Sequence, residues 1–563
     1  MTNILLHTSS GRTSTGRSTS LYLLALVVVF VGTVALVGPS GDFPLNDDWS
    51  YAIATRTLVA TGAWHPTGWT SMPLITNALW AAPICAASSC SFNDLRLTTL
   101  LASLLFFSAT FFLVRVNCNR NALPLLSAIL VAFNPIVYTL SFTFMADVLF
   151  SALLTLSILF FFLSIEQDSV LLAVLGTILA LAATMSRQLG LCVPVGYLIV
   201  RMLQPGHGRR KYILAFAPFI LCAASLALFN GWLRETGRIP LTYYAPLQEI
   251  VALLQSPVKL ILRISYNLVE FLLYLGLFSS PVLVLTTRPA VVAKTQSWVR
   301  NGPLVVAAAA TLICAVCMIA RRQIMPLGMN MLIPQGIGPL TLRDAAILDL
   351  PNVPALPSIF WICVTLISLW GTFELVARVA IYATNTVSTR RYRNFSDAEA
   401  GILLAVVSIL AYITPLLATR IFDRYFIPLL PLVLFFLVHV SAADSVKRYR
   451  MIGSAALCLM TAGFAVLTTH DYMAWNRARW RAIADLQNSG DARPTTLDGG
   501  LEYNGLFSYN PFYQIRDGKS WWWIDKDNYQ ITFGPIPGMK IFNEYPYEVL
   551  LPPVKRSILV LKR

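Results

Sequence analysis

The chain has 563 residues, of which 56% are apolar and only 12% charged, and its mean hydropathy is +0.65. That composition excludes a string of soluble domains and marks a polytopic α-helical protein whose principal solvent is lipid. The formal charge of +15 does not point to nucleic acid, because the basic residues fall in short groups between apolar runs, as helix orientation in a membrane requires.

A tail over residues 1–20, with Arg12 and Arg17 and no acid, leads into an apolar run from Leu21 to Val37. The run is long enough to span, and Val37-Gly38-Pro39-Ser40 is a poor small-x-small cleavage site, so it reads as a retained first span rather than a signal peptide. A first outer loop, about 39–94, follows. It opens on Asn46-Asp47-Asp48-Trp49-Ser50-Tyr51 and also carries Arg56, Trp64, His65 and Trp69.

The run from Met72 to Ala87 in this loop is ambiguous, having prolines near both ends, Pro73 and Pro83. Parity decides it. If this run does not cross, the basic groups at Arg115 with Arg120, Arg201 with Arg209, Arg210 and Lys211, Arg288 with Lys294 and Arg300, Arg390 with Arg391 and Arg393, and Lys447 with Arg448 and Arg450 share one side. The run therefore reads as a helix lying on the outer membrane surface. Cys85 and Cys90 then lie outside the cytoplasm, where a disulfide is chemically allowed, whereas Cys192, Cys222, Cys314, Cys317, Cys363 and Cys458 sit inside apolar runs as small hydrophobes.

Downstream runs bring the expected total to about thirteen transmembrane helices, in a membrane domain covering residues 21–469. The same parity puts Asp147, the loop from Arg321 to Pro357 and everything after Thr469 on the outer face with Asp47 and Asp48. The runs flanking Arg187 and Gln188 form a hairpin with its tip on that side. From His470 the composition turns polar and aromatic, with Trp521-Trp522-Trp523 and turn signals at Gly499-Gly500, Asp517-Gly518 and Phe533-Gly534-Pro535. Residues 470–563 read as a small extracytoplasmic α/β domain that opens with a helix over 471–488. Within it, Asp498 to Gly505 reads first as a structural turn and second as a flap over an acceptor.

Three constellations carry chemistry. Asp47 and Asp48 stand beside Trp49, Tyr51, His65 and Trp69; a carboxylate there suits proton abstraction from a hydroxyl, and the rings suit sugar faces, the plain alternative being a solvated turn with interfacial aromatics. Asp147 is a lone acid at the outer head of an apolar helix, placed either to cap it or to bind a cation or substrate. Arg420-Ile421-Phe422-Asp423-Arg424-Tyr425 puts positive charge on the side where orientation does not need it, which an anionic lipid phosphate would explain. Arg187, Arg321 and Arg322 follow the same logic, with a salt bridge to Asp423 or Asp147 as the alternative. His65, His439 and His470 make no metal motif, and no nucleotide loop is present, so a membrane-borne donor must already hold the energy for any group transfer.

Together these residues resemble the GT-C superfamily of membrane glycosyltransferases, in the branch of protein O-mannosyltransferases and the lipid A aminoarabinose transferase. The carriers are Asp47 to Tyr51, the surface helix leading into Asn93-Asp94-Leu95-Arg96-Leu97, Asp147, and Phe422-Asp423-Arg424-Tyr425-Phe426-Ile427-Pro428. The chain departs from the family at Ser71-Met72-Pro73, where the aminoarabinose branch tends to have a basic residue, and at Asp48, where Glu is more usual. The resemblance implies a GT-C fold in a bacterial inner membrane, and inverting transfer of a sugar from a polyprenyl phosphate to a hydroxyl of a glycan, lipid or protein on the periplasmic or exterior face. It implies Asp47 as base with Asp48 beside it, Asp147 as second acid, and Arg424, Arg420 and Arg187 with Tyr425 around the donor phosphate. A divalent ion shared by Asp47 and Asp147 stays open, since no ligand motif calls for one. The competing classes are a transporter or flippase of lipid-linked glycans, for which Glu270 and Glu374 are the membrane-depth acids, and a non-catalytic glycan-binding subunit built on Trp521 to Trp523.

Overall fold

The computed structural model describes residues 13–118, 122–204, 208–291, 297–388, 396–442, 447–515 and 522–563. Residues 1–12 of the tail, the basic residues Arg120, Lys294, Arg390, Arg391 and Arg393, and Trp521 lie outside the described residues. Every apolar run named above is helical. Among the described residues, nine helices are long and apolar enough to cross a membrane: Phe92–Arg115, Asp147–Glu166, Arg209–Glu235, Pro257–Leu285, Asn301–Ala320, Ser358–Ser388, Asp397–Leu417, Asp423–Val440 and Arg448–Asn488. The other four expected spans correspond to shorter apolar helices at Leu21–Val37, Ala122–Ala132, Val170–Ser186 and Gln188–Leu203.

Local chemistry explains the short ones. Pro135 has no N–H to continue the helix Ala122–Ala132, so the chain breaks there, and the Asn134 side chain accepts from Ile136 N and Val137 N at 3.0 and 3.3 Å to start Pro135–Leu140. The hairpin at Arg187 closes through Gly190, where a Cβ would lie 2.5 Å from the backbone nitrogen of Thr184; only glycine lets the returning chain come so near. The helix Ile75–Ala87 has 13 residues. At about 1.5 Å per residue it reaches roughly 20 Å, short of the ~30 Å hydrocarbon core. Cys85 at its end is joined by a disulfide to Cys90.

Asp147–Glu166 is the central helix, buried along nearly its whole length. The peripheral helices keep apolar residues outward instead, Leu228 at 74%, Ile319 at 75% and Leu459 at 74% exposure, the face that a bilayer covers. The last helix, Arg448–Asn488, has 41 residues. It runs unbroken through 469 and 470, so the change in composition expected to mark a domain boundary falls inside one helix. Its polar end packs against a mixed sheet of β3 (Leu497–Asp498), β4 (Tyr529–Thr532), β5 (Lys540–Leu550) and β6 (Pro553–Lys562), in the order β3-β4-β6-β5. β3 runs parallel to β4 and the other pairs are antiparallel. A small pair, β1 (Leu332–Ile333) and β2 (Gly336–Ile337), lies in the loop after the span that ends at Ala320.

Candidate active site

Asn46 adopts a φ of 59°, a left-handed turn that asparagine tolerates better than most residues, and the helix Asp48–Thr61 starts immediately after it. Asp47 holds the N-cap position but makes no capping bond. Its carboxylate faces elsewhere: Oδ1 accepts from Trp69 Nε1 at 2.9 Å and Oδ2 meets Arg424 Nη2 at 3.3 Å. Asp48 turns the opposite way, and its oxygens accept from Leu45 N at 2.6 Å and Phe144 N at 3.1 Å. Burial pushes the Asp48 carboxyl up to about 8, outweighing the two N–H donors that pull it down. The two neighbouring acids thus differ: Asp48 stitches the loop to the turn before Asp147, and Asp47 is left facing Trp69 and Arg424.

Asp147 occupies the first turn of the central helix without capping it, and its Oδ1 pairs with Arg187 Nη2 at 2.9 Å. That ion pair is the arrangement weighed above as the alternative for Arg187. Arg187 lies 5.5 Å over the Tyr425 ring and Arg424 lies 5.4 Å over Phe422. Both guanidinium groups keep a buried Nε without a hydrogen-bond partner, as does Asp147 Oδ2. Tyr51 is buried within electrostatic reach of Asp47, Arg424, Arg187 and Asp147. Desolvation drives its phenol well above the ordinary tyrosine range, so Tyr51 stays a neutral hydroxyl in this cluster. Two carboxylates thus face two guanidiniums in a buried cluster whose hydrogen-bonding capacity is not filled.

An aromatic wall adjoins it. The rings of Trp49 and Trp69 meet Trp523 at 5.7 and 5.4 Å, and Tyr509 sits 5.3 Å from Trp49 and 5.1 Å from Trp523. The C-terminal region therefore packs directly on the loop that carries Asp47. Asp498 to Gly505 forms not a bare turn but β3 and the start of the helix Leu501–Ser508, and Glu502 from that helix accepts from Asn46 N at 3.0 Å, Thr341 Oγ1 at 2.7 Å and Arg479 Nη1 at 2.8 Å. Asp423 also has a scaffold role, its carboxylate accepting from Met331 N at 3.0 Å and Leu332 N at 2.6 Å.

The fold thus brings together Asp47, Asp147, Arg187, Arg424, Tyr51, Tyr425, Trp49 and Trp69. His65 and Arg420 stay exposed; the Arg420 guanidinium rests 5.5 Å over Phe422 and its backbone N–H donates to Glu249. Of the membrane-depth acids, Glu374 is paired with Arg288 and Arg378. Among the described residues no group of three or more His, Cys, Asp or Glu side chains is placed to hold a metal ion. A dication shared by Asp47 and Asp147 would compete with Arg424 and Arg187, which pair with these carboxylates. Sequence alone does not single out Glu502, Arg479 or Tyr509, which reach the Asp47 loop from the far end of the chain; the Asp498–Gly505 cluster and the tryptophan run are the signals that point there.

Residues 73–233 match the family model described as dolichyl-phosphate-mannose-protein mannosyltransferase. No curated protein matches the chain. Among solved structures, the archaeal oligosaccharyltransferase AglB from Archaeoglobus fulgidus, in complex with an inhibitory peptide and a dolichol-phosphate, shares 12% identity over 82% of this chain with a TM-score of 0.31; the chain spans 57% of its length. ArnT from Cupriavidus metallidurans aligns over 85% of this chain and 83% of its own, at 12% identity and a TM-score of 0.34 in the apo state. The form bound to undecaprenyl phosphate aligns over the same shares at 11% identity and a TM-score of 0.36. The segment 73–233, which contains Asp147 and Arg187, carries the pattern of that mannosyltransferase family.

Proposed function

We propose that the protein is an integral membrane glycosyltransferase that moves a sugar from a polyprenyl phosphate to an acceptor hydroxyl, in a cleft on the extracytoplasmic face. The observation that carries this reading is the cluster in which Asp47 pairs with Arg424 and Asp147 with Arg187, while both arginines retain an unpartnered buried Nε. A phosphate diester entering the cleft finds two forked donors in a low-dielectric setting, which strengthens each contact. Arg424 then exchanges Asp47 for the phosphate, and Asp47 is left to take the acceptor proton.

In the transfer step the acceptor oxygen bonds to the sugar C1 from the face opposite the phosphate. The C1–O bond breaks with its electron pair going to the phosphate, and the hydroxyl proton goes to Asp47. Inversion follows from that displacement. Asp147 holds Arg187 in place, Tyr425 supports the same guanidinium through its ring, and Trp69, Tyr509 and Trp523, packed around the buried Trp49, offer flat apolar faces to a sugar. The acceptor is a glycan, lipid or protein, and the inner membrane of a bacterium, facing the periplasm, is the setting that this chemistry suits.

The test is transfer from a panel of radiolabelled polyprenyl-phosphate sugars to membrane extract by purified wild type, Asp47→Asn and Arg424→Ala. Wild-type transfer that falls by a factor of about 10² or more in Asp47→Asn supports the reading, that being the scale of a lost general base. Wild-type-like transfer by folded Asp47→Asn removes Asp47 from the chemistry. Failure of wild type to bind any such donor removes the enzyme reading itself.

A further inference from the structure

At the far end of the bundle from this cleft lies a second polar site. Along the helix Pro257–Leu285, Glu270 sits beside the Asp423 loop, and Leu283 lies thirteen residues on, about 20 Å toward the other membrane face. There a cavity of about 460 Å³ is lined by Leu283, Val284, Arg288, Trp370, Arg378 and Arg450, together with Thr286, Glu374 and Tyr449. Three guanidinium groups converge on it with one carboxylate between them.

The bonding is uneven. Glu374 is held by Arg288, whose Nε donates to it at 3.0 Å, and by Arg378 Nη1 at 2.5 Å. Arg378 also donates from Nη2 to Leu283 O and Thr286 O at 3.2 and 3.1 Å, yet its Nε is buried without a partner and the residue is only 1% exposed. Arg450 donates from Nη1 to Thr286 O at 2.8 Å. One carboxylate cannot neutralise three guanidiniums, so the pocket keeps a formal excess of two positive charges. Orientation in the membrane needs basic residues near this face but not a cavity, nor an arginine this deeply buried. Leu283, Val284 and the partly exposed Trp370 supply an apolar flank beside the charges, the arrangement that a headgroup and its first methylenes would meet.

We propose that this pocket binds a phosphate-bearing anion, with Arg288 and Arg450 as its direct contacts and Arg378 as the buried charge behind them. The shared chemistry is a phosphate mono- or diester, offered either by the headgroup of an anionic lipid in that leaflet or by a small soluble phosphate. Arginine forks match phosphate oxygens as they match a carboxylate, three of them exceed what Glu374 alone can satisfy, and the site is separate from the Asp47 cluster.

The full-length protein in nanodiscs of pure phosphatidylcholine, or of phosphatidylcholine with phosphatidylglycerol, would be compared with Arg288→Gln/Arg450→Gln by native mass spectrometry and thermal unfolding. The double variant leaves Glu374 paired with Arg378. We expect retained phosphatidylglycerol and a higher melting temperature in the anionic discs for wild type, with retention about tenfold or more weaker in the variant, the scale for lost charge-assisted hydrogen bonds. Titration of inorganic phosphate and pyrophosphate in neutral discs distinguishes the source: stabilisation of wild type but not the variant assigns a soluble phosphate, and stabilisation by phosphatidylglycerol alone assigns the lipid. If a normally folded double variant retains lipid and is stabilised by every probe as strongly as wild type, or if no probe acts on wild type, the proposal falls.

Discussion

Removing Glu502 tests whether the C-terminal region sets the geometry of Asp47. Glu502 and its partner Arg479 are both fully buried, and the same carboxylate accepts from the backbone N–H of Asn46, the residue before Asp47. In Glu502→Ala the Arg479 guanidinium loses its only buried carboxylate partner among the ion pairs described, and Asn46 N loses its acceptor. Breaking a buried pair from one side costs about 3–5 kcal/mol, on the order of 10²- to 10³-fold or more in a local opening equilibrium. Hydrogen exchange on the detergent-solubilised full chain reads this directly. Amides of 45–51 and 498–508 are expected to exchange faster together by about that factor, while the central helix Asp147–Glu166 is unchanged. Because replacing a whole buried pair by apolar groups can be nearly neutral, Arg479→Leu with Glu502→Leu should loosen 498–508 less than Glu502→Ala. If 498–508 loosens in Glu502→Ala but 45–51 exchanges within about threefold of wild type, the carboxylate does not hold the Asp47 loop and the coupling argument is wrong.

Asp48 makes stability depend on pH. Its folded carboxyl titrates near 8 against 3.8 for the ordinary side chain, so between those values the folded state keeps a proton that the unfolded state has lost. Stability therefore falls as pH rises from 5 to 8, by up to about 1.4 kcal/mol per pH unit from this group; thermal unfolding of Asp48→Asn over that range should lack this component, and an identical pH profile would refute it. Arg424→Lys keeps the charge but not the fork, so steady-state kinetics should show the donor KM raised about tenfold with a smaller change in kcat, whereas equal losses in kcat and kcat/KM at unchanged KM would place Arg424 in the transition state alone. A Cβ on Gly505 would lie 2.4 Å from Trp49 Cε2, so Gly505→Ala must displace the aromatic wall; a loss of about 1–3 kcal/mol in thermal or denaturant unfolding is expected, and unchanged stability would mean that the wall yields freely.

The membrane architecture was legible in the chain because burial in lipid writes itself as runs of apolar residues, and the helices fall where those runs fall. The helix Ile75–Ala87 was legible too, as the apolar run between Met72 and Ala87. Asp47, Asp147, Arg187 and Arg424 stood out because each is a charge where the environment disfavours one without a partner. Which charge meets which was not legible: Asp47 and Arg424 are 377 residues apart, and only packing of the Asp423–Leu429 turn against the central helix puts them together. Adjacent residues look alike in sequence, yet the turn at Asn46 sends Asp48 toward Leu45 and Phe144 and Asp47 toward Trp69 and Arg424. Tertiary structure alone also left Arg420 and His65 outside and recruited Glu502 across 456 residues to the backbone of Asn46. The physical reason is that solvent preference is a property of each side chain, which local sequence records, whereas ion pairing and ring contacts belong to pairs whose meeting depends on how every helix between them packs.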